Sequence, residues 1–439
     1  MKKMIAGLLA VSLIFGAGGV FGNMSEVAFA ASLTADEEHP MSGKCGENVT
    51  WVLDEDGTLT VSGEGDMDSE QSSELVYHKS DIKKIVVEDG VTSIGDRAFS
   101  SFENLTSVIL SDSVTSVGNF AFYYCAELAD ITIPESVTNI GRLAFESTLW
   151  LENKQKEDPL VIVNNILIDG TKCKGEITIP NTVTSICSGA FFGDSDLTAV
   201  KIPDSVTSMD IAVFFDCDNL IKAELPNSLT SIPEWTFMAC ENLTSVNLPD
   251  SLTSIKERAF GDCESLTEVN IPDGVTSMGL CAFDGCKSLK DVTIPDSVTN
   301  IGDYAFDNCK NLKSVTIPES VTEIGEQAFG YDYDLGGVGQ YKLDGFTIIG
   351  HKGSAAEKYA KEEGFTFIDQ EEGSEIVKVK GDLFVDGSVN VVDLSVLAAH
   401  IKGKKMLKDV SAADFNGDGK TDVTDLSKLA AHIKGKKML

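Results

Sequence analysis

The sequence predicts an α+β repeat protein: a mostly β solenoid with short helical or irregular returns, followed by a small all-α module. Three observations predict it. Phe99, Phe122, Phe145, Phe191, Phe214, Phe237, Phe260, Phe283, Phe306 and Phe329 are spaced by 23 residues, with one gap of 46 whose missing slot falls at the still apolar Ile168. The same register carries valine or leucine from Val91 to Val321 and leucine from Leu105 to Leu312. A separate duplication, offset by 32 residues, makes Asp393–Leu407 return as Asp425–Leu439, with only Val396 versus Lys428 differing. Apolar columns held in phase over so many copies mean stacked coils, because no single coil buries its own face.

One unit shows how a coil closes. Leu289, Val292 and Ile294 read as a short strand whose Val292 and Ile294 point inward. Pro295 ends it, since proline donates no ladder hydrogen bond, and proline recurs in that slot from Pro134 to Pro318. A second apolar step, Val298 and Ile301, leads to Ala305-Phe306, whose ring fills the coil interior. Eleven slots at strand spacing make a stack roughly 50 Å long. The unit, with its I-P-x-S-V-T-x-I-G-x-x-A-F-x-x-C-x-x-L pattern, resembles the BspA type of leucine-rich repeat from about Ile82 to Leu335. Leu149 to Gly170 departs from the unit and reads as an irregular coil with two strand-like runs that keeps the register.

The columns also order the cysteines. Cys125, Cys217, Cys240, Cys263, Cys286 and Cys309 each lie three residues after the repeat phenylalanine. In leucine-rich repeats that column holds a small residue turned into the coil, so the resemblance implies free buried thiols. A metal-binding ladder is the alternative, and the column has neither histidines nor paired CxxC ligands to support it. Cys45, Cys173, Cys187 and Cys281 lie off the column without a reading.

Both ends read as capped. Cys45 to Gly63 predicts a hairpin turning at Asp56-Gly57, with Trp51, Leu59 and Val61 covering the first coil. Ser354 to Gly364 predicts a short helix and Phe365 to Ile368 a strand; Gly353-Ser-Ala-Ala-Glu-Lys-Tyr-Ala resembles the closing segment of the same family.

Net charge and the N-terminus bound the setting. With 35 Lys plus Arg against 69 Asp plus Glu, the net charge of -34 argues against nucleic acid and anionic membrane as partners. Lys2 and Lys3, an apolar run from Met4 to about Phe15, and Ala28-Phe29-Ala30 read as a secretory signal peptide. A membrane anchor is the competing reading; the run is short for a bilayer and is broken by Gly16, Gly18 and Gly19. The expected organisation is a signal peptide over 1–30, an N-terminal hairpin cap and linker over 31–80, and the solenoid over 81–335. A C-terminal cap over 336–368, a linker over 369–378 and the final module over 379–439 follow.

The final module carries the clearest chemistry. Calcium takes six to eight oxygens around a tight loop, and Asp414, Asn416, Asp418 and the Lys420 carbonyl fall at loop positions 1, 3, 5 and 7. Asp422 follows at 9 and Asp425 at 12, with Gly419 at the sharp turn. The first loop places Asp382, Asp386, the Ser388 carbonyl, Asn390 and Asp393 at positions 1, 5, 7, 9 and 12. Position 3 there is Phe384, which has no side-chain oxygen, so weaker calcium binding is expected with water filling the gap. Paired loops ending in Asp, each followed by one helix, resemble a type I dockerin over about Val379 to Leu439.

That resemblance implies two calcium ions and a scaffoldin cohesin domain as partner. Carried over by position, the cohesin contacts are Val391, Val392, Ala398 and Ala399 in one half and Val423, Thr424, Ala430 and Ala431 in the other. Several of these positions are polar or basic in the best-known dockerins, which leaves the cohesin class open. The near-identical halves imply binding in either of two orientations. Lys402, Lys404, Lys405 and their copies Lys434, Lys436 and Lys437 either steer an acidic partner or complement a helix C-terminus.

No catalytic motif appears among the five scattered histidines. Glu135, Asp204, Asp250, Asp273, Asp296 and Glu319 follow the repeat proline as one acidic column, and general acid/base work needs carboxyls in different environments. Tyr123, Tyr124, Trp235 and Tyr304 are aromatics suited to stacking on sugars or to packing. The leading expectation is a non-catalytic secreted cellulosome component, held at the cell surface through a scaffoldin, whose repeats recognise protein, glycan or cell surface. The alternatives are an accessory in polysaccharide catabolism, with an unrecognised hydrolase activity included, and an adhesin.

Overall fold

The computed structural model describes residues 41–69, 71, 74–334, 339–370, 393, 396–398, 401, 413–414 and 420–434. The signal peptide read over 1–30 and most of the 379–439 module lie outside the described residues. Two compact units divide the chain, Met1–Thr198 with Ser205–Asp218, and Ala199–Asp204 with Asn219–Leu439. The repeats of each form a β-solenoid with few helices.

In the first unit, an antiparallel cap leads into parallel coils. Ser42–Lys44 pairs with Val49–Leu53, and that with Thr58–Gly63 across a turn where Gly57 takes φ 86°. Thr58–Gly63 then pairs in parallel with Lys84–Val87, and Ser107–Ile109 and Asp130–Thr132 extend the same sheet. Trp51, Leu59 and Val61 are fully buried beneath it. The step after each proline or its equivalent is a second short strand: Val91–Ile94, Ser116–Val117 and Asn139–Ile140 stack in parallel. Phe99, Phe122 and Phe145 stack with centroids 5.5 and 5.7 Å apart.

The departing segment is a helix followed by a hairpin. Thr148 caps the helix Leu149–Glu157, its Oγ1 accepting the Leu151 N–H at 3.1 Å and donating to the Phe145 carbonyl at 2.7 Å. Val161–Val163 and Ile166–Asp169 then pair antiparallel around Asn164-Asn165, both left-handed. The two strand-like runs are present, but the helix was not anticipated, and the 23-residue register is not kept locally. Leu167 pairs with Ile186, and Thr184 bonds Asn165, at a separation of 19 residues. Phase returns only across the two coils together. The first sheet ends at Asp130–Thr132 and the second at Asn139–Ile140. Side chains stitch the seam: Asn164 Nδ2 donates to the Pro134 and Val137 carbonyls at 2.7 and 3.0 Å, and Cys187 Sγ to Ile140 O at 3.0 Å. Trp150 lies 4.8 Å from Phe145, while Gly170 backs onto Phe191, where a Cβ would come within 2.2 Å of the ring.

The second unit repeats the coil in purer form. Glu268–Asn270, Asp291–Thr293 and Ser314–Thr316 make one parallel ladder, and Ser231–Ile232 to Glu323–Ile324 make the second. Each proline carbonyl accepts the N–H three residues on, as from Pro295 to Val298 at 3.0 Å, which turns the chain between them. Exposed threonines add a third set of bonds, Thr276, Thr299 and Thr322 each donating Oγ1 to the carbonyl one coil back at 3.2 Å. The return arc is bent by left-handed residues in a repeating slot, Trp235, Arg258, Cys281, Tyr304 and Gln327. Left-handed backbone costs a non-glycine residue about 1–2 kcal/mol. Main-chain bonds to the next coil oppose that cost, as from Phe283 N to Ala305 O at 2.8 Å. Phe237, Phe260, Phe283, Phe306 and Phe329 stack 4.9–5.3 Å apart.

Tyr359, from the helix Ala355–Glu363, closes that stack. Its hydroxyl accepts the Phe329 N–H at 2.9 Å and donates to the Phe329 carbonyl at 3.0 Å, taking the place of a further coil. Gly364 ends the helix in the left-handed conformation, and Thr366–Asp369 pairs in parallel with Thr347–Gly350.

All ten cysteines are free and buried. In the column five thiols donate to the phenylalanine carbonyl of the preceding coil, Cys263, Cys286 and Cys309 at 3.1–3.2 Å in the second unit and Cys125 and Cys217 at 3.0 Å in the first. Burial pushes the thiols up, Cys125 to about 12. Cys281 occupies the left-handed slot of the return arc.

A row of acids runs beside this column. Asp307 is buried, accepting from Asn308 N at 2.9 Å and Gln340 Nε2 at 2.8 Å. Burial, reinforced by Asp262 and Asp307, pushes the Asp284 carboxyl up to about 7, with Arg258 at 3.9 Å opposing.

Two outcomes follow. The folded protein leaves its thiols unreacted toward a thiol-titrating dye, and denaturant without reductant releases all ten; fewer would reveal disulfides, and fast native reaction an open column. For Asp284, a folded pKa above the unfolded value means stability fully present below about pH 4 and lost as pH rises through about 7. Asp284→Asn therefore matches the parent at pH 4 and is more stable by about 1–3 kcal/mol at pH 8 in thermal melts. A variant no more stable at pH 8 would refute this.

Candidate functional site

The C-terminal helix Val423–Ile433 begins at a carboxylate cluster that sequence spacing had assigned to metal. Asp425 is fully buried, and its Oδ2 accepts the Asp422 N–H at 3.0 Å. Asp422 Oδ1 accepts the Thr424 N–H at 2.8 Å and its hydroxyl at 2.7 Å, and these bonds hold the Asp422 carboxyl below its usual range. Asp414 and Lys420 are described as well, whereas Asn416 and Asp418 lie outside the described residues. Of the first loop only Asp393 is described, fully buried like Asp425; Asp382, Asp386, Ser388 and Asn390 lie outside.

Burying a carboxylate is costly unless it is hydrogen-bonded or ligates a cation. Two buried loop-closing aspartates, in an otherwise oxygen-only donor set, fit a hard divalent ion such as calcium. Among the described residues alone, no three His, Cys, Asp or Glu side chains are grouped to hold a metal.

The same helix separates two faces. Leu397, Ala413 and Leu429 form a buried cluster, with Leu426, Ile401 and Ile433 packed against it. Val423, at 61% exposure, and Thr424 stand in the first turn, with Ala430 and Ala431 seven residues on and half-buried. Seven residues are two helical turns, so these four share a side that is not the core side. Ala398 is half-buried; Val391, Val392 and Ala399 lie outside the described residues. Lys434 is exposed, and Lys402, Lys404, Lys405, Lys436 and Lys437 lie outside.

In the repeats, the acidic column after the proline is exposed from Glu135 to Glu319. Aromatics that looked isolated in sequence are grouped in the first unit. Tyr123 and Tyr124 meet edge-on at 4.4 Å, Phe120 meets Tyr123 at 5.4 Å, and Arg97 and Arg142 lie 5.0 and 5.2 Å from the Phe120 centroid. Tyr124 N donates to the Glu146 carbonyl at 3.0 Å, which sets this group one coil before a cleft of about 430 Å³ beside the helix Leu149–Glu157. Glu146, Gln155, Lys156, Thr171 and Lys172 line it. Burial first, then Asp169, raises the Glu146 carboxyl, against the pull of Lys172. Sequence reasoning missed this cleft; the capping Thr148 before a polar run was its one local signal.

Comparison with known proteins places both halves of the chain. The model of the BspA-type leucine-rich repeat region matches residues 72–165, 161–289 and 236–338, and that of the type I dockerin domain matches 380–434. No curated protein matches the chain. Among solved structures it is similar to a leucine-rich cell surface protein from Faecalibacterium prausnitzii A2-165, at 25% identity over 74% of this chain and 98% of that one, with a TM-score of 0.38. A leucine-rich repeat protein from Eubacterium ventriosum ATCC 27560 matches at 21% identity over 68% and 99%, with a TM-score of 0.35. One from Bacteroides ovatus ATCC 8483 matches at 25% identity and a TM-score of 0.35 over 56% of this chain, which spans 61% of that protein. The matched repeats cover more than half of the sequence: the chain belongs to the BspA-type leucine-rich repeat family and carries a type I dockerin domain at its C-terminal end.

Proposed function

We propose that the protein is an exported, non-catalytic component of a cellulosome-type assembly, docking through its C-terminal module (379–439) onto a scaffoldin cohesin in a calcium-dependent manner. The observation that carries this reading is the dockerin match over 380–434, together with a helix whose exposed Val423 side stands apart from its buried Leu429 side. In this reading Asp414, Asn416, Asp418, the Lys420 carbonyl, Asp422 and Asp425 hold one calcium ion. Asp382, Asp386, the Ser388 carbonyl, Asn390 and Asp393 hold a second, more weakly. Calcium supplies the charge that lets the loop carboxylates pack at the helix start, and so fixes the helix that presents Val423, Thr424, Ala430 and Ala431 to cohesin. Their counterparts Val391, Val392, Ala398 and Ala399 serve the second binding orientation. Export rests on the N-terminal segment; no helix among the described residues is long and apolar enough to cross a membrane. The repeats supply the recognition face.

The test is capture of the full chain by a panel of immobilised cohesins. Wild type is retained with calcium and released by chelator, and the double variant Asp414→Ala/Asp418→Ala binds at least tenfold more weakly. Retention unchanged in chelator would refute calcium dependence, and no capture by any cohesin would refute docking.

A further inference from the structure

In the first unit, a polar cleft interrupts the repeating outer surface, and aromatic rings stand in the coils on both sides of it. Gly170 N donates to Ala190 O at 2.6 Å as Phe122 N does to Ala144 O at 2.8 Å, so Gly170 takes the phenylalanine slot of its coil. Thr171 and Lys172 then follow it as Glu146 and Ser147 follow Phe145, and all four line the cleft. One coil earlier the same two slots hold Tyr123 and Tyr124, and one coil later the first of them holds Phe192. Tyr124 is 54% exposed. Phe192 is half-buried, its ring stacked on Phe215 at 5.1 Å. Four successive coils therefore present a ring, two polar pairs and a second ring, over roughly 15 Å at strand spacing.

The charged groups of the cleft balance. Its volume of about 430 Å³ lies in the range of small-ligand sites, and two glutamates, Glu146 and Glu152, face two lysines, Lys156 and Lys172. Lys156 lies 3.9 Å from Glu152 along the helix, so that pair neutralises itself. A balanced lining gives neither a polyanion nor a polycation an advantage. Apart from Leu151, the rest of the lining is hydroxyl and amide. Carboxylates only accept hydrogen bonds and ammonium groups only donate them, so a ligand serving both must do both, as a hydroxyl does. A sugar whose hydroxyls are equatorial has C–H faces that lie flat on an aromatic ring while the hydroxyls at its rim reach polar side chains. A peptide is less well served, because peptide recognition uses an open strand edge or apolar pockets. Here the arc's main chain is committed to the next coil, Tyr124 N to Glu146 O at 3.0 Å among its bonds.

We propose that this face binds a neutral, linear polysaccharide of sugars with equatorial hydroxyls, of the β-linked glucan or xylan kind. One ring stacks on Tyr124, the next enters the cleft against Glu146 and Lys172, and the chain runs on towards Phe192. The proposal rests on the reading that the repeats are the recognition face and is independent of the dockerin.

Affinity electrophoresis of the full chain tests it, with mixed-linkage β-glucan, arabinoxylan, the α-linked glucan dextran or polygalacturonate in the gel and chelator throughout. Retardation is read against a polymer-free gel. β-Glucan or arabinoxylan is expected to retard the wild type equally at low and high salt, while dextran and polygalacturonate leave its mobility unchanged. Tyr124→Ala and Lys172→Ala each bind about fivefold or more weakly, with unchanged melting temperatures. No retardation by either β-linked polymer, equal retardation by dextran, stronger retardation by polygalacturonate, or two folded variants that bind like the parent would each overturn the proposal. Cohesin capture of the same preparations reads the docking proposal separately, so either can fail alone.

Discussion

In the regular stretches, each coil hands its main-chain hydrogen bonds to the next at three places: a first strand, a second strand and the return arc. All three ladders must advance by the same step, so a residue inserted in one coil puts that coil out of phase everywhere at once. The phenylalanine stack obeys the same step, with rings 4.9–5.3 Å apart in the second unit, close to the strand spacing. This common rise is why glycine recurs ahead of the arc. At Gly302 a Cβ would lie 2.6 Å from the carbonyl carbon of Gly279, too close for any side chain at that rise.

The constraint explains where variation is found. Where all three ladders run, most variation falls on exposed slots, and the coil interior stays apolar. Where the ladders stop, at the helix Leu149–Glu157, the interior slots change character. Thr148 stands in the cysteine column there and caps the helix. Freed from the common rise, that coil holds a helix, a hairpin and the polar cleft.

What the sequence made legible follows from repetition. The phenylalanine, valine and cysteine slots are each sampled many times, so their inward direction was evident before any coordinates. The C-terminal dockerin was legible for a different reason, because its duplicated loop-and-helix spacing is itself the family's pattern. The helix Leu149–Glu157 occurs once and buries only Trp150 and Leu151, too little for a helical period to show. The aromatic group around Phe120 escaped notice because Arg97, Phe120, Tyr124 and Arg142 are joined only by the stacking of coils. The raised Asp284 carboxyl was hidden because acids of neighbouring coils sit one position out of slot, at Asp262 and Asp284, and become a row only in three dimensions.

The seam after Asn139–Ile140 has a mechanical meaning. Elsewhere in the first unit a pull along the stack is shared by parallel rows of main-chain bonds, which must fail together. At the seam one main-chain bond, Trp150 N to Leu128 O at 2.7 Å, is joined by the amide of Asn164, the thiol of Cys187 and the contact of Trp150 with Phe145. With fewer main-chain bonds to share it, the stack is most compliant there, and tension along the first unit would be felt first beside the cleft.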